Sequence, residues 1–166
     1  MDVMQSREDA LENRATEKRR FMLQDANTPA TSDEALRELF TQTQCIAVVG
    51  IKAGEQDDAF RVPRYMQQQG YRIVPVNPKL EQVLGESGVA SLGQIDGSVD
   101  LVNLFRAADK VPAHVDEILA MNPRPKAVWM QLGIVCSDSA RRLRQAGIHV
   151  IQDRCIMVDH KRVGKQ

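Results

Sequence analysis

Gln44-Cys45-Ile46-Ala47-Val48-Val49-Gly50-Ile51-Lys52-Ala53-Gly54 holds the clearest element of the chain. Cys45 to Val49 is an unbroken apolar run, β-branched at Ile46, Val48 and Val49. Such a short run, closed abruptly by a glycine, reads as a strand buried on both faces. Gly50 lets the backbone turn sharply and approach a neighbour closely. A polar loop follows through Asp57-Asp58, and then a helical pattern at Phe60, Val62, Tyr65 and Met66, broken at Gly70. Strand, glycine turn and helix form the first half of a nucleotide-binding unit, in which the helix start offers free backbone N–H groups to a phosphate. The glycine motifs are incomplete. Gly50 and Gly54 do not make the three-glycine dinucleotide fingerprint, and no Gly-Lys-Ser or Gly-Lys-Thr phosphate loop is present. A buried strand that simply turns at a glycine is the other reading of this stretch.

Outward from it, strands and helices alternate. Ile73, Val74 and Val76 predict a second strand, with Pro75 placing it partly at an edge because proline gives no N–H to a ladder. Asn77-Pro78 stops it, and Lys79 follows. An NAD-binding unit ends this strand with an acid that holds the ribose hydroxyls. Here the acid is missing, and a cation stands where a ribose phosphate could sit. Residues 80–97, with four glycines, read as loop with a short strand or helical turn. Val99 to Phe105 is a third strand, and Arg106 lies just past it. Val111-Pro112-Ala113 opens a helix, with proline early where it is tolerated, and Pro123-Arg124-Pro125 ends it. Ala127 to Met130 is a fourth strand ending at Gln131-Leu132-Gly133. A helix from Ser137-Asp138 runs to Gly147, Ile148 to Ile151 is a fifth strand, and Asp153 to His160 is left as a tail.

This order predicts an α/β, Rossmann-like, doubly wound sheet, mostly parallel, of five or six strands with helices on both faces. Ligands of such sheets bind outside the carboxyl ends of the strands. Gly50-Ile51-Lys52, Asn77-Pro78-Lys79, Phe105-Arg106 and Gln131-Leu132-Gly133 all fall at carboxyl ends, so four candidate segments converge on one edge.

Before the first strand, Thr31 and Glu34 suggest a capping box, opening a helix with Leu36, Leu39 and Phe40 as its stripe. Residues 1–30 read as a charged arm, helical or disordered, in which Phe21, Met22 and Leu23 could dock on a partner or second subunit. The main domain spans residues 31–166.

The chain has 166 residues, and Lys+Arg and Asp+Glu both number 22, for a formal net charge of zero. That balance argues against nucleic acid or an anionic membrane as the main partner. No apolar run approaches membrane-spanning length. Three cysteines, Cys45, Cys136 and Cys155, without paired spacing fit a reduced, cytoplasmic protein. Cys136, His149 and Cys155 lack metal-ligand spacing, so no metal is expected. His114, His149 and His160 read as surface or packing residues, and no catalytic residue is assigned.

With these residues in view, the chain resembles the small single-domain CoA-binding proteins, relatives of the CoA-binding domain in the succinyl-CoA synthetase α subunit. The resemblance rests on Ile46-Ala47-Val48-Val49-Gly50, on Gly70 through Pro78, on Asp100 through Arg106, on Ala127 through Gly133 and on Asp153-Arg154-Cys155, in that order. It covers about residues 32–160. It implies a Rossmann-like fold with coenzyme A, or an acyl-CoA, as ligand and cofactor. By the same resemblance Gly50, Ile51 and Lys52 meet the pyrophosphate, and Asn77, Pro78 and Lys79 lie beside the adenosine and its 3′-phosphate. Phe105 and Arg106 flank the adenine or phosphates with Val111 nearby, and Gln131 faces the pantetheine. The first turn departs from the family, which has Gly-Ala-Ser or Gly-Leu-Ser there. Lys52 replaces the serine, and Glu55, Asp57 and Asp58 follow. Two other functions are carried alongside: an NAD(P)-responsive redox sensor or dehydrogenase, and a scaffold subunit acting through a partner chain or homo-oligomer.

Overall fold

A computed structural model describes residues 32–164. The arm expected over residues 1–30 lies outside them. Helix α1 (Asp33–Gln42) precedes strand β1 (Cys45–Val49), helix α2 (Asp58–Gln68) and strand β2 (Arg72–Val76). A small hairpin, β3 (Gln82–Val83) and β4 (Glu86–Ser87), and a 3-10 turn at Leu92–Gln94 fill the glycine-rich stretch. Strand β5 (Leu101–Leu104), helix α3 (Val111–Ala120), strand β6 (Ala127–Met130), helix α4 (Ser137–Gln145), strand β7 (His149–Ile151) and helix α5 (Ile156–Val163) complete the order.

The main sheet runs β2-β1-β5-β6-β7 and every pairing in it is parallel. It is the doubly wound Rossmann-like sheet that the alternating pattern predicts. A sixth strand is reduced to a single parallel bridge between Val76 and Val89 outside β2. Arg72 N–H donates inward to Gln44 and Asn77 N–H outward to Val89, so alternation turns the nitrogen of Pro75 to the outer side. The proline therefore costs the sheet no ladder bond, and β2 is the edge strand its presence predicts.

All five residues of β1 are buried because both faces of the sheet are covered. Ala47, Val49, Val102 and Met130 pack with α3 and α4 on one face. Ile46, Val48, Trp129 and Ile151 pack with α1, α2 and α5 on the other. The second face is fastened by polar contacts. The Trp129 indole N–H donates to the Arg154 carbonyl at 2.7 Å. Buried Asp159 accepts from Arg154 at 2.7 and 2.6 Å and from Arg162, which also pairs with Asp33 of α1.

Two local readings are corrected. The α1 cap is Ser32, whose side chain accepts from Ala35 N–H, in place of the expected Thr31, which lies outside the described residues. The segment left as a tail is largely helix α5, whose Ile156 and Val163 are buried against the sheet.

Candidate functional site

The chain winds from β1 to β2 on one side of the sheet and returns to β5 on the other, so the switch point lies between β1 and β5. In doubly wound sheets the ligand crevice opens there, beyond the carboxyl ends. Gly50 leaves β1 at φ +80°, with its N–H bonded to Val76 O at 3.0 Å. A Cβ on Gly50 would meet Phe105 O at 2.3 Å and Arg106 Cδ at 3.0 Å. The absent side chain is what lets the two strand exits close on each other.

Asn77 ties the turns together. Its Nδ2 donates to Ile51 O at 2.7 Å and its Oδ1 accepts from Lys79 N–H at 2.8 Å. The Lys79 side chain is thus launched from a fixed backbone. In the first loop, Pro63 sits inside α2 and has no N–H to give the Ala59 carbonyl. That carbonyl instead accepts from Lys52 N–H at 3.2 Å, which anchors the loop to the helix. Asp57 caps α2 through Ala59 N–H at 3.0 Å and pairs with the Lys52 ammonium at 3.0 Å. The hydrogen bond from Lys52, with that from Ala59, holds the half-buried Asp57 carboxyl below the usual carboxylate range.

These turns enclose a cleft of about 690 Å3. Gly50, Lys52, Asn77, Pro78, Lys79, Phe105 and Arg106 line it together. Lys110 and His114, from the start of α3, close the remaining side. Lys52, Lys79, Arg106 and Lys110 bring four cationic side chains to the cleft, and the carboxylate beside them is Asp57, paired with Lys52 at the rim. In a chain of zero net charge this is a local concentration of one sign, the condition for holding a polyanion. The Arg106 Nε is buried and meets no hydrogen-bond acceptor among the described residues. His114 is steadied by Glu117, which accepts at 3.0 Å and also takes Leu92 N–H at 3.0 Å.

The other named residues sit elsewhere. The Ile51 side chain is wholly buried in the core below the turn, leaving its backbone at the site. Val111 is wholly buried under the sheet and lines neither opening. Gln131 is buried, donates to Asn103 Oδ1 at 2.8 Å, and lines a second groove of about 520 Å3. That groove shares Lys52, Phe105 and Arg106 with the first and continues past Leu132 to Cys155, Met157 and Val158. Sequence reasoning assigned neither Lys110 nor this α5 lining to a site, and it read His114, which lines the cleft, as a surface or packing residue. Lys110 and His114 lie one helical turn apart at the start of a helix that follows a strand exit, which is a readable signal. The α5 residues carry no such signal, because the segment reads as a tail.

Among the described residues no helix is long and apolar enough to cross a membrane. A protein of Bacillus subtilis (strain 168), the uncharacterised YneT, is 36% identical over 129 residues, covering 78% of this chain and 94% of its own length. A solved structure from Thermus thermophilus superposes with a TM-score of 0.76 at 40% identity, covering 80% of this chain and 98% of that one. A dinucleotide-forming acetyl-coenzyme A synthetase of Ca. Korarchaeum cryptofilum, in complex with phosphate and ADP, superposes with a TM-score of 0.61. Its identity is 19%, over 71% of this chain and 27% of that one, so this likeness is one of fold. Comparison with protein families matches residues 44–161 to the CoA binding domain. The chain belongs to the CoA binding domain family.

Proposed function

We propose that the domain of residues 31–166 binds coenzyme A or an acyl-CoA across the switch-point cleft and performs no reaction of its own. The observation that carries this is the set of four cationic side chains around one opening at the strand ends, of which Lys52 is paired with a carboxylate, Asp57. Coenzyme A has a pyrophosphate and a ribose 3′-phosphate, and both need cations. The pyrophosphate rests on the Gly50-to-Lys52 turn and Arg106, whose unpartnered Nε is a ready donor. The 3′-phosphate lies by Lys79 and Lys110, with the adenosine beside Asn77-Pro78. The pantetheine passes Phe105 toward Gln131. The cleft lining holds no serine, threonine, cysteine or carboxylate, and its one imidazole, His114, is held by Glu117.

The test is thermal unfolding with CoA, dephospho-CoA, NADH and NADPH, each in excess. A ligand at about 100 times its dissociation constant adds roughly 2.7 kcal/mol. CoA is expected to raise the midpoint and dephospho-CoA to raise it less. Lys79→Ala and Lys110→Ala are expected to remove the difference, and Arg106→Ala to weaken both ligands alike. Stabilisation by a nicotinamide cofactor and not by CoA would hand the site to the redox reading.

A further inference from the structure

The second groove is not explained by the nucleotide. Its charged side, with Lys52, Asp57, Asp58, Arg61 and Arg106, adjoins the cleft, while the side built by the β6 exit and α5 is apolar, with Leu132, Ile134, Met157 and Val158. Leu132 is 73% exposed and Val158 56% exposed. They are two of the three exposed large apolar side chains among the described residues, and both face this one groove. Scattered exposed leucines and valines are ordinary, but two opposed across one groove next to a ligand cleft are a surface to be covered. Neither is held by the fold: one stands on a loop and the other on the outer side of α5.

Resting on the coenzyme A reading, we infer that this groove is an acyl site and that the physiological ligand is an aliphatic acyl thioester, not free coenzyme A. The groove is continuous with the cleft through Lys52, Phe105 and Arg106, so a chain entering from the pyrophosphate is led into it. Pantetheine carries two amides, which suit the end with Lys52, Arg61 and Gln131. The stretch of Leu132, Met157 and Val158 offers such a chain no strong hydrogen-bonding group and suits hydrocarbon. A bare thiol would leave Leu132 and Val158 in water, and an acyl chain covers them. A second copy of the chain is the competing occupant, and it has no continuity with the nucleotide cleft to recommend it.

The experiment is calorimetric titration of the full chain with CoA, acetyl-CoA, butyryl-CoA and hexanoyl-CoA. Each methylene buried is expected to tighten binding by roughly fourfold until the groove is full, with an increasingly negative heat-capacity change. Butyryl-CoA should then bind roughly fifteenfold tighter than acetyl-CoA. The double variant Leu132→Asn, Val158→Gln, at two solvent-facing positions, should flatten the series while leaving the affinity for CoA itself unchanged. Equal affinity for all four ligands overturns the acyl site and leaves the coenzyme A reading standing. A gradient that survives the double variant overturns the placement in this groove. Binding of none of the four overturns the coenzyme A reading, and the acyl site falls with it. Sedimentation of the unliganded chain separates the competing occupant: a dimer dissolved by the same double variant, with a flat acyl series, gives the groove to a second copy.

Discussion

A methyl group at Gly50 would lie 2.3 Å from the Phe105 carbonyl oxygen at a φ of +80°. Left-handed backbone costs an ordinary residue about 1–2 kcal/mol. The collision adds to it, because the obstructing atom is backbone and cannot swing away. Gly50→Ala is therefore expected to lower unfolding stability by about 3 kcal/mol in a urea titration. Gly70→Ala is the control. Its φ is +97°, but open space surrounds the added Cβ, so about 1–2 kcal/mol is expected there. That Gly50 marks a turn is legible from the apolar run before it. That it is a contact point with β5 is not, since the partner carbonyl lies 55 residues away in the chain and is brought there only by strand order.

The loop from Gly50 into α2 shows how far a departure from a family's usual residues reaches within one element. Lys52 does not project freely into the cleft, because Asp57 holds it at 3.0 Å while capping the helix. Asn caps a helix as well as Asp. Asp57→Asn therefore keeps the cap, frees the ammonium and removes an anion from the rim. The expected result is a two- to fivefold gain in CoA affinity with little change in stability, measured by calorimetry and urea unfolding, since exposed ion pairs are worth about 0.2–1 kcal/mol. The acidic character of this loop is plain from Asp57 and Asp58, but which lysine it neutralises is not. The elements legible in advance are those with a strong period and clear breakers, such as β1, α2 and α3. Helix α5 was not legible, because Asp159 and His160 fall on its buried side and mask the apolar pattern. Asp159 tolerates burial only through Arg154 and Arg162.

At the scale of the molecule, the meeting of four strand exits on one edge was readable because parallel topology leaves no other arrangement. The second groove was not, since it needs α5 folded back beside β6. Global stability carries a further signature of how the sheet is buried. The Tyr71 phenol lies in the core and donates to Phe40 O at 3.2 Å. Burial, helped by the neighbouring Tyr65, pushes it up to about 12. The unfolded chain loses that proton near pH 10. Between these values the native state keeps a proton that the unfolded state has lost, so stability is full below about pH 10 and falls as pH rises toward 12. Urea midpoints measured from pH 8 to 11.5 should show this decline, and Tyr71→Phe should reduce it while costing about 1 kcal/mol at neutral pH for the lost hydrogen bond. The placement of α5 has a temporal meaning as well. The sheet face bearing Ile46, Val48 and Trp129 is closed by a helix made after all five strands. During synthesis one side of the sheet can be sealed by α3 and α4 while the other, already carrying α1 and α2, still lacks α5, and in that interval the nascent chain keeps an uncovered apolar strip beside Trp129, a substrate for chaperones and for its own neighbours on the polysome.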